Sequence, residues 1–325
     1  MNKVDLFGIK NEKDFSLLAL ETFSYQYKNN KVYKQWCDLM GVTSVQTLSE
    51  IPFLPISFFK THAVTTRSEN SAEDYFLSSG TTSTNRSRHL VYSKQRYINN
   101  TINCFEQFFS PVSDYSYICL LPSYLEQGHS SLICMMDAFV RLSKYSQSGF
   151  FKDELSQVID LLEANARDNI PTILFGVTYA LLDLIQLKQL SLNSNTIVFE
   201  TGGMKGRRKE MPKNELHNVL KKGLGVDYIA SEYGMCELFS QAYAKRDGRF
   251  FTPRQMRVCI KPINDPKGDN LVEQKGVINI IDLANADTCS FIQTEDVGIM
   301  HTDGSFEILG RLDNSDIRGC NLMYS

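Results

Sequence analysis

Six hydroxyl side chains and a glycine crowd the segment Ser78-Ser79-Gly80-Thr81-Thr82-Ser83-Thr84, and Arg86, Arg88 and His89 follow directly. Closely spaced backbone N–H groups, hydroxyl donors and nearby positive charge form a cradle for a polyphosphate. A plain solvated loop has the same composition, so the segments downstream matter. Glu200-Thr201-Gly202-Gly203 puts a double glycine after an apolar strand pattern. Ligands of open α/β sheets bind there, beyond the carboxyl ends of the strands, and glycine lets backbone approach them. A tight turn is the alternative. Ser231-Glu232-Tyr233-Gly234-Met235-Cys236-Glu237 combines an aromatic ring, a glycine and a carboxylate. Tyr233 can stack on a base and Glu237 can hold the Mg²⁺ of a nucleotide; a packed tyrosine and a solvated glutamate are the alternatives. In Thr294-Glu295-Asp296-Val297-Gly298 an acid can accept hydrogen bonds from both ribose hydroxyls. A fourth segment runs from Gly310-Arg311 through Asp313 to Arg318-Gly319-Cys320.

The surrounding pattern supplies elements to position these groups. Phe15, Leu18, Ala19, Phe23 and Tyr27 recur at helical spacing within 11–48. Pro52 and Pro55 then rule out a regular helix, so the apolar segment 51–60 is expected to lie extended against a core. Helices are expected at 94–109, 130–142, 153–167, 178–187 and 212–222. Strands are expected at 115–121, 173–175, 196–200 and 226–230, with Ser231–Glu237 as a loop. Beyond about residue 245 the pattern becomes short strands: 257–261, 276–282 and 306–309. Alternating strands and helices followed by a strand-rich tail imply an α/β protein with parallel sheets flanked by helices and a smaller β-rich portion. The expected division is an α/β body at 1–244, binding nucleotide and acyl group, and a β-rich portion at 245–325 that ends in the Arg-Gly-Cys tail.

Composition narrows the classes. A net charge of −3 gives no electrostatic footprint for nucleic acid. No apolar run approaches the ~20 residues of a membrane span, and residues 1–6 lack the apolar core of a signal peptide. The eight cysteines form no CxxC pair and several sit in apolar runs, which suits a reducing cytoplasm. Cys320 differs, lying in a polar stretch after Arg318-Gly319.

In order and spacing these segments resemble the adenylate-forming superfamily of acyl-CoA synthetases, adenylation domains and firefly-type luciferases. Ser79-Gly80-Thr81-Thr82 resembles its phosphate loop, and Tyr233-Gly234-Met235-Cys236-Glu237 its Tyr-Gly-x-Thr-Glu motif. Asp296 falls at its ribose-binding Asp, and Gly310-Arg311-x-Asp313 resembles its hinge motif. Residues 52–60, Pro122-Ser123-Tyr124-Leu125, Ser231–Met235 and Ser315–Cys320 resemble more narrowly the acyl-protein synthetases of the LuxE type. The resemblance implies an ATP-dependent ligase that activates a fatty acid as acyl-AMP and captures the acyl group on its own cysteine. The thioester is then passed to a partner acyl reductase.

Carried onto this chain, the resemblance gives Ser79, Gly80, Thr81 and Thr82 to the triphosphate, with Arg86 or Arg88 assisting. It gives Gly202 and Gly203 to the adenine edge, Tyr233 and Gly234 to adenine, and Asp296 to ribose. Arg311 goes to ribose or phosphate, Glu237 to Mg²⁺, and Cys320 to the acyl group, with Arg318 lowering its pKa. Tyr124 and His129 are candidates for the acyl pocket. The chain departs from the superfamily in three places. Ser83-Thr84-Asn85-Arg86 replaces the usual Gly and Pro-Lys-Gly, Cys236 stands for Thr, and the sequence stops at Ser325 without the mobile C-terminal domain. The altered loop and the missing domain leave open a nucleotide-binding module without chemistry. A ligase that hands its acyl group to CoA, a carrier protein or an amine is the other alternative, separated from self-acylation by Cys320.

Overall fold

The computed structural model describes residues 8–78, 86–121, 128–152, 154–202 and 211–312. The first helix, Glu12–Asn29, is capped by Asn11, whose side chain accepts from the Asp14 N–H. Asn30 interrupts the helical pattern by capping the next helix, Lys31–Leu39, through the Tyr33 N–H. Its amide also donates to the Thr288 carbonyl at 2.9 Å, which fixes the bend against the far end of the chain. The proline-punctuated segment is extended only around its prolines; Phe58–Thr61, beyond Pro55, forms a turn of helix instead, since no proline there blocks it. The segment's short strand β1 (Leu54–Pro55) pairs in parallel with β12 (Phe291–Met300). Tyr33 Oη and Trp36 Nε1 donate to the carbonyls of Pro52 and Phe53, satisfying backbone groups that lack a ladder partner.

The antiparallel hairpin β2 (Asp74–Leu77) and β3 (Arg88–Val91) follows, then helix Lys94–Glu106. The main sheet takes β4 (Ser116–Leu120), β5 (Gly149–Phe150), β6 (Thr172–Val177), β7 (Thr196–Thr201), β8 (Ala230–Tyr233) and β9 (Ala242–Ala244). Among the described residues its order is β5-β4-β6-β7-β8-β9, parallel throughout except for β9, which runs antiparallel to β8. Helices Ser131–Leu142, Leu155–Arg167, Thr178–Leu187 and Lys213–Leu224 alternate with these strands. β4 and β6 are apolar along their length and buried on both faces, the mark of a covered parallel sheet. Helix Lys213–Leu224 stops at Gly225, where φ is +68° and a Cβ would come within 2.7 Å of the Ser191 backbone.

The expected strand 226–230 is displaced: β8 begins only at Ala230 and runs to Tyr233. The segment expected to be a loop from Ser231 therefore starts as sheet, so Glu232 and Tyr233 project to opposite faces. The second sheet holds β10 (Met256–Lys261), β11 (Lys275–Asp282), β12 and β13 (Phe306–Arg311), with β1 at its edge. The second hydrophobic core joins Phe15, Phe23, Tyr33 and Phe59 to Ile280, Phe291 and Phe306. The N-terminal helices therefore cover the C-terminal sheet.

Candidate active site

The hairpin β2–β3 carries the hydroxyl-rich segment. Ser78 and Ser87 close its base: Ser78 N–H donates to the Ser87 carbonyl, and Ser87 N–H donates to Ser78 Oγ at 2.9 Å. Arg86 Nε donates to the Ser78 carbonyl, which ties the guanidinium to the same base. Ser79, Gly80, Thr81 and Thr82 lie outside the described residues, as do Gly203, Tyr124, Arg318 and Cys320. Arg88 lies over the Tyr75 ring at 4.9 Å, with Glu69 at 3.9 Å.

His89 is not part of a basic cluster, contrary to the expectation from sequence. It is fully buried, and burial holds its pKa down at about 4 despite its bond to the Cys236 carbonyl, so the ring is neutral at pH 7. Its Nδ1 lies 2.6 Å from that carbonyl, which can only accept, so Nδ1 carries the proton. Nε2 then accepts from Thr288 Oγ1 at 2.8 Å. One neutral ring thus fastens the loop-bearing hairpin to the 236–237 segment and to the second sheet.

Three of the expected nucleotide residues come together on one side of β8. Tyr233 Oη donates to Asp296 Oδ2 at 2.8 Å, and Arg311 Nε lies 3.8 Å from Asp296 Oδ1. Asp296 and Arg311 face each other across β12 and β13, where the register shifts at Val297/Gly298. Burial raises the Asp296 pKa, and the Tyr233 hydrogen bond and the Arg311 charge oppose that rise only in part. The Tyr233 ring is 8% exposed and edge-on to Phe250 and Phe306, so its hydroxyl presents the carboxylate. Arg311 also reaches Glu295 at 3.1 Å, and Glu295 lies 3.7 Å from Lys60.

Glu237 is buried, and its carbonyl accepts from Asn285 Nδ2 at 2.7 Å. No ion pair engages its carboxylate among the described residues, and no cluster of three metal-ligating side chains occurs there. A single carboxylate suits Mg²⁺ that takes its remaining ligands from substrate phosphates and water. Asp282, which the sequence reading passed over, is the anchor of the following turn. Its carboxylate accepts from the N–H groups of Phe239 and Ser240 and from Ser240 Oγ, at 2.7–2.9 Å.

The ends of β7 and β8 are cross-linked by side chains. Thr178 Oγ1 lies 3.2 Å from Glu200 Oε2 and 3.0 Å from the Gly202 carbonyl, at a turn where Gly202 has φ +71°. Burial would raise the Glu200 pKa, but His217, the Lys213 charge and Thr178 outweigh it and the net shift is downward. Glu232 is the residue that sequence reasoning missed. Its Oε2 accepts from Thr201 Oγ1 at 3.1 Å, and no cation pairs with it among the described residues. Burial pushes its pKa up to about 7 in spite of that hydrogen bond. The signal was an acidic residue in a strand whose neighbours on the same face are enclosed.

His129 stacks on Tyr75 at 4.1 Å and lies 3.1 Å from Asp74, beside the hairpin. Two open cavities of about 360 and 330 Å³ lie around Phe108, Lys245 and Arg246, at the other end of the main sheet. The candidate site therefore rests on converging groups. No helix among the described residues is long and apolar enough to cross a membrane.

Comparisons with known proteins bear on the family and the fold. The family profile described as acyl-protein synthetase, LuxE, matches residues 8–325. The long-chain-fatty-acid–luciferin-component ligase of Vibrio harveyi is 39% identical over 67 residues, 20% of this chain and 18% of that protein. Its counterpart from Photorhabdus luminescens is 34% identical over 73 residues, 22% of this chain and 63% of that one. The matches thus span less than two thirds of either relative. Among solved structures, 2-hydroxyisobutyryl-CoA ligase superposes with a TM-score of 0.66 at 11% identity, over 93% of this chain and 75% of that one. ATP-bound MatB from Rhodopseudomonas palustris gives 0.54 at 17% identity, over 75% and 49%. The fold is that of the adenylate-forming enzymes, as the α/β reading expected.

Proposed function

The chain belongs to the LuxE family of acyl-protein synthetases, and on that premise we propose that it activates a carboxylic acid, of the fatty-acid class, with ATP. A carboxylate is a poor electrophile. Attack of its oxygen on the α-phosphorus forms a P–O bond, breaks the bond to pyrophosphate and leaves acyl-AMP. Positioning and charge stabilisation dominate such a step. The observation that carries this reading is the Tyr233–Asp296–Arg311 group, a half-buried carboxylate held by a hydroxyl beside a guanidinium. Asp296 would take the ribose hydroxyls and Arg311 the ribose or phosphate. Ser79, Gly80, Thr81, Thr82 and Arg86 would take the phosphates, and Gly202, Gly203 and Gly234 the adenine. Glu237 would hold Mg²⁺, which offsets phosphate charge when bound.

In the second step the Cys320 thiolate attacks the acyl carbon, AMP leaves with the bonding pair, and a thioester remains for a partner acyl reductase or acyltransferase. Arg318 favours the thiolate. The other cysteines support this choice. Burial lifts the thiols of Cys37 and Cys104 to about 12 and those of Cys134 and Cys259 to about 11. A cytoplasmic setting keeps a free acceptor thiol reduced.

ATP–pyrophosphate exchange with Mg²⁺, followed by acylation with radiolabelled acid and ATP, tests both steps. Cys320→Ser is expected to keep exchange and lose acid-stable, hydroxylamine-labile label. Loss of exchange with every acid in folded, ATP-binding protein would overturn the reading.

A further inference from the structure

The inner face of the β8–β9 ribbon carries three polar groups that lack full partners among the described residues. Glu232 and Tyr243 are directly opposite each other in the ladder, and Gln241 lies two residues before Tyr243, so all three share a face. Gln241 and Tyr243 are 3% and 1% exposed, yet Gln241 Oε1 and Tyr243 Oη have no hydrogen-bond partner among the described residues. The Glu232 carboxyl receives the Thr201 hydroxyl and is joined to no cation among the described residues. A side chain at Gly234 would collide with Glu232 Oε1 at 2.4 Å and crowd Gln241 Cγ at 3.3 Å, so glycine there lets the Glu232 carboxylate and Gln241 lie side by side.

Buried polar atoms are almost always paired in folded proteins, so a cluster of unpaired ones points to a missing occupant. Two of the three groups present acceptor oxygens, and the tyrosine can turn to donate or accept. An occupant that pairs Gln241 Oε1 and the ionised Glu232 carboxylate must be a hydrogen-bond donor. The cluster follows directly from the nucleotide side: Glu232 precedes Tyr233, and Thr201 precedes Gly202 at the neighbouring strand end. A bare alkyl chain laid here would leave these acceptors desolvated and unpaired, at about 1–3 kcal/mol each.

We propose that Glu232 and Gln241 select an acid that bears a hydrogen-bond donor, a hydroxyl or an ammonium group, on the part of the chain near its carboxylate. This rests on the adenylation reading above and names its substrate more closely. Glu232 is a specificity residue in this scheme, since it touches the substituent and not the reacting atoms.

The test compares octanoate, 2-hydroxyoctanoate, 3-hydroxyoctanoate and 2-aminooctanoate in wild type, Glu232→Gln and Glu232→Leu. Pyrophosphate exchange and calorimetric binding without ATP are read in parallel, with circular dichroism to check folding. A donor-bearing acid is expected to exceed octanoate by at least about tenfold in the wild type, because sites built for a hydroxyl or amine discriminate strongly. Glu232→Leu is expected to abolish that preference in both readouts. Glu232→Gln still accepts a hydroxyl but cannot pair a charge, so it separates the two donors: a retained preference identifies the hydroxy acid and a lost one the amino acid. Octanoate preferred or equal in the wild type, or a preference unchanged in Glu232→Leu, would overturn the proposal. Selective binding that is lost in Glu232→Leu, with no exchange for any acid, would sink adenylation and leave the donor site standing.

Discussion

Replacing Glu232 by Gln should make this protein more stable at neutral pH and should remove a specific part of its pH dependence. The carboxyl has an ordinary value of 4.5 in the unfolded chain and about 7 in the fold. Between those values the unfolded state gives up its proton while the native state keeps it. Native protein thus binds more protons, and stability falls as pH rises from 4.5 through 7, then levels off. At 1.36 kcal/mol per pKa unit the interval amounts to about 3 kcal/mol as a ceiling. Glutamine keeps an acceptor for Thr201 Oγ1 and has nothing to titrate. Urea denaturation of both proteins from pH 5 to 8.5 reads the difference, since all other titrations are shared. Tyr97 and Tyr243, which face the carboxyl, have pKa values raised by burial and stay neutral across this range. The variant's advantage should grow from about 1 kcal/mol at the acidic end to about 3 kcal/mol above pH 7.5. With a urea slope of about 3 kcal/mol/M, the midpoint would move by roughly 1 M. Two curves that stay parallel across pH would refute the claim that Glu232 is an unpaired, desolvated acid.

Tyr233→Phe removes the hydroxyl from Asp296 without altering the ring's packing; the ATP dissociation constant measured by calorimetry should weaken about tenfold, in line with a lost hydrogen bond to a charged group. His89 is neutral in the fold at a pKa of about 4 against 6.5 when exposed, so its contribution is complete above pH 6.5 and disappears as pH falls toward 4. His89→Leu should flatten that acid limb in thermal melts. It should also cost about 2–3 kcal/mol at pH 7, because the Cys236 carbonyl loses its donor. Gly298→Ala puts a methyl 2.4 Å from the Glu307 carbonyl oxygen and 2.9 Å from Ile278, so the ladder must shift; a loss of about 1–3 kcal/mol is expected in urea midpoint measurements.

Much of the architecture is legible from local pattern. Helical spacing in 12–29 and the apolar runs of β4, β6 and β7 mark their elements because burial on one face or two is written in consecutive residues. The prolines at 52 and 55 announce an extended segment for a steric reason that needs no partner. Composition could not show where that segment goes: it pairs with β12, more than two hundred residues later, and the N-terminal helices close the second core with it. The start of β8 was misplaced because Val226–Ile229 is as apolar as a strand, whereas ladder pairing with β7 and β9 sets the true limits.

The residue types at the site were set by the sequence alone: a hydroxyl-rich turn, a Tyr-Gly segment, an acid in a late strand, and an arginine after a glycine. Tertiary structure decided the surroundings of those that lie among the described residues. Tyr233 and Asp296 meet across 63 positions, and the tyrosine hydroxyl donates to the carboxylate. His89 stands beside two arginines in sequence, and burial makes it a neutral clamp. Glu232 looks in sequence like any surface acid until the fold desolvates it, with no cation beside it among the described residues. Residue identity sets which charges and donors exist, while desolvation and partnership depend on which distant segments exclude water from them.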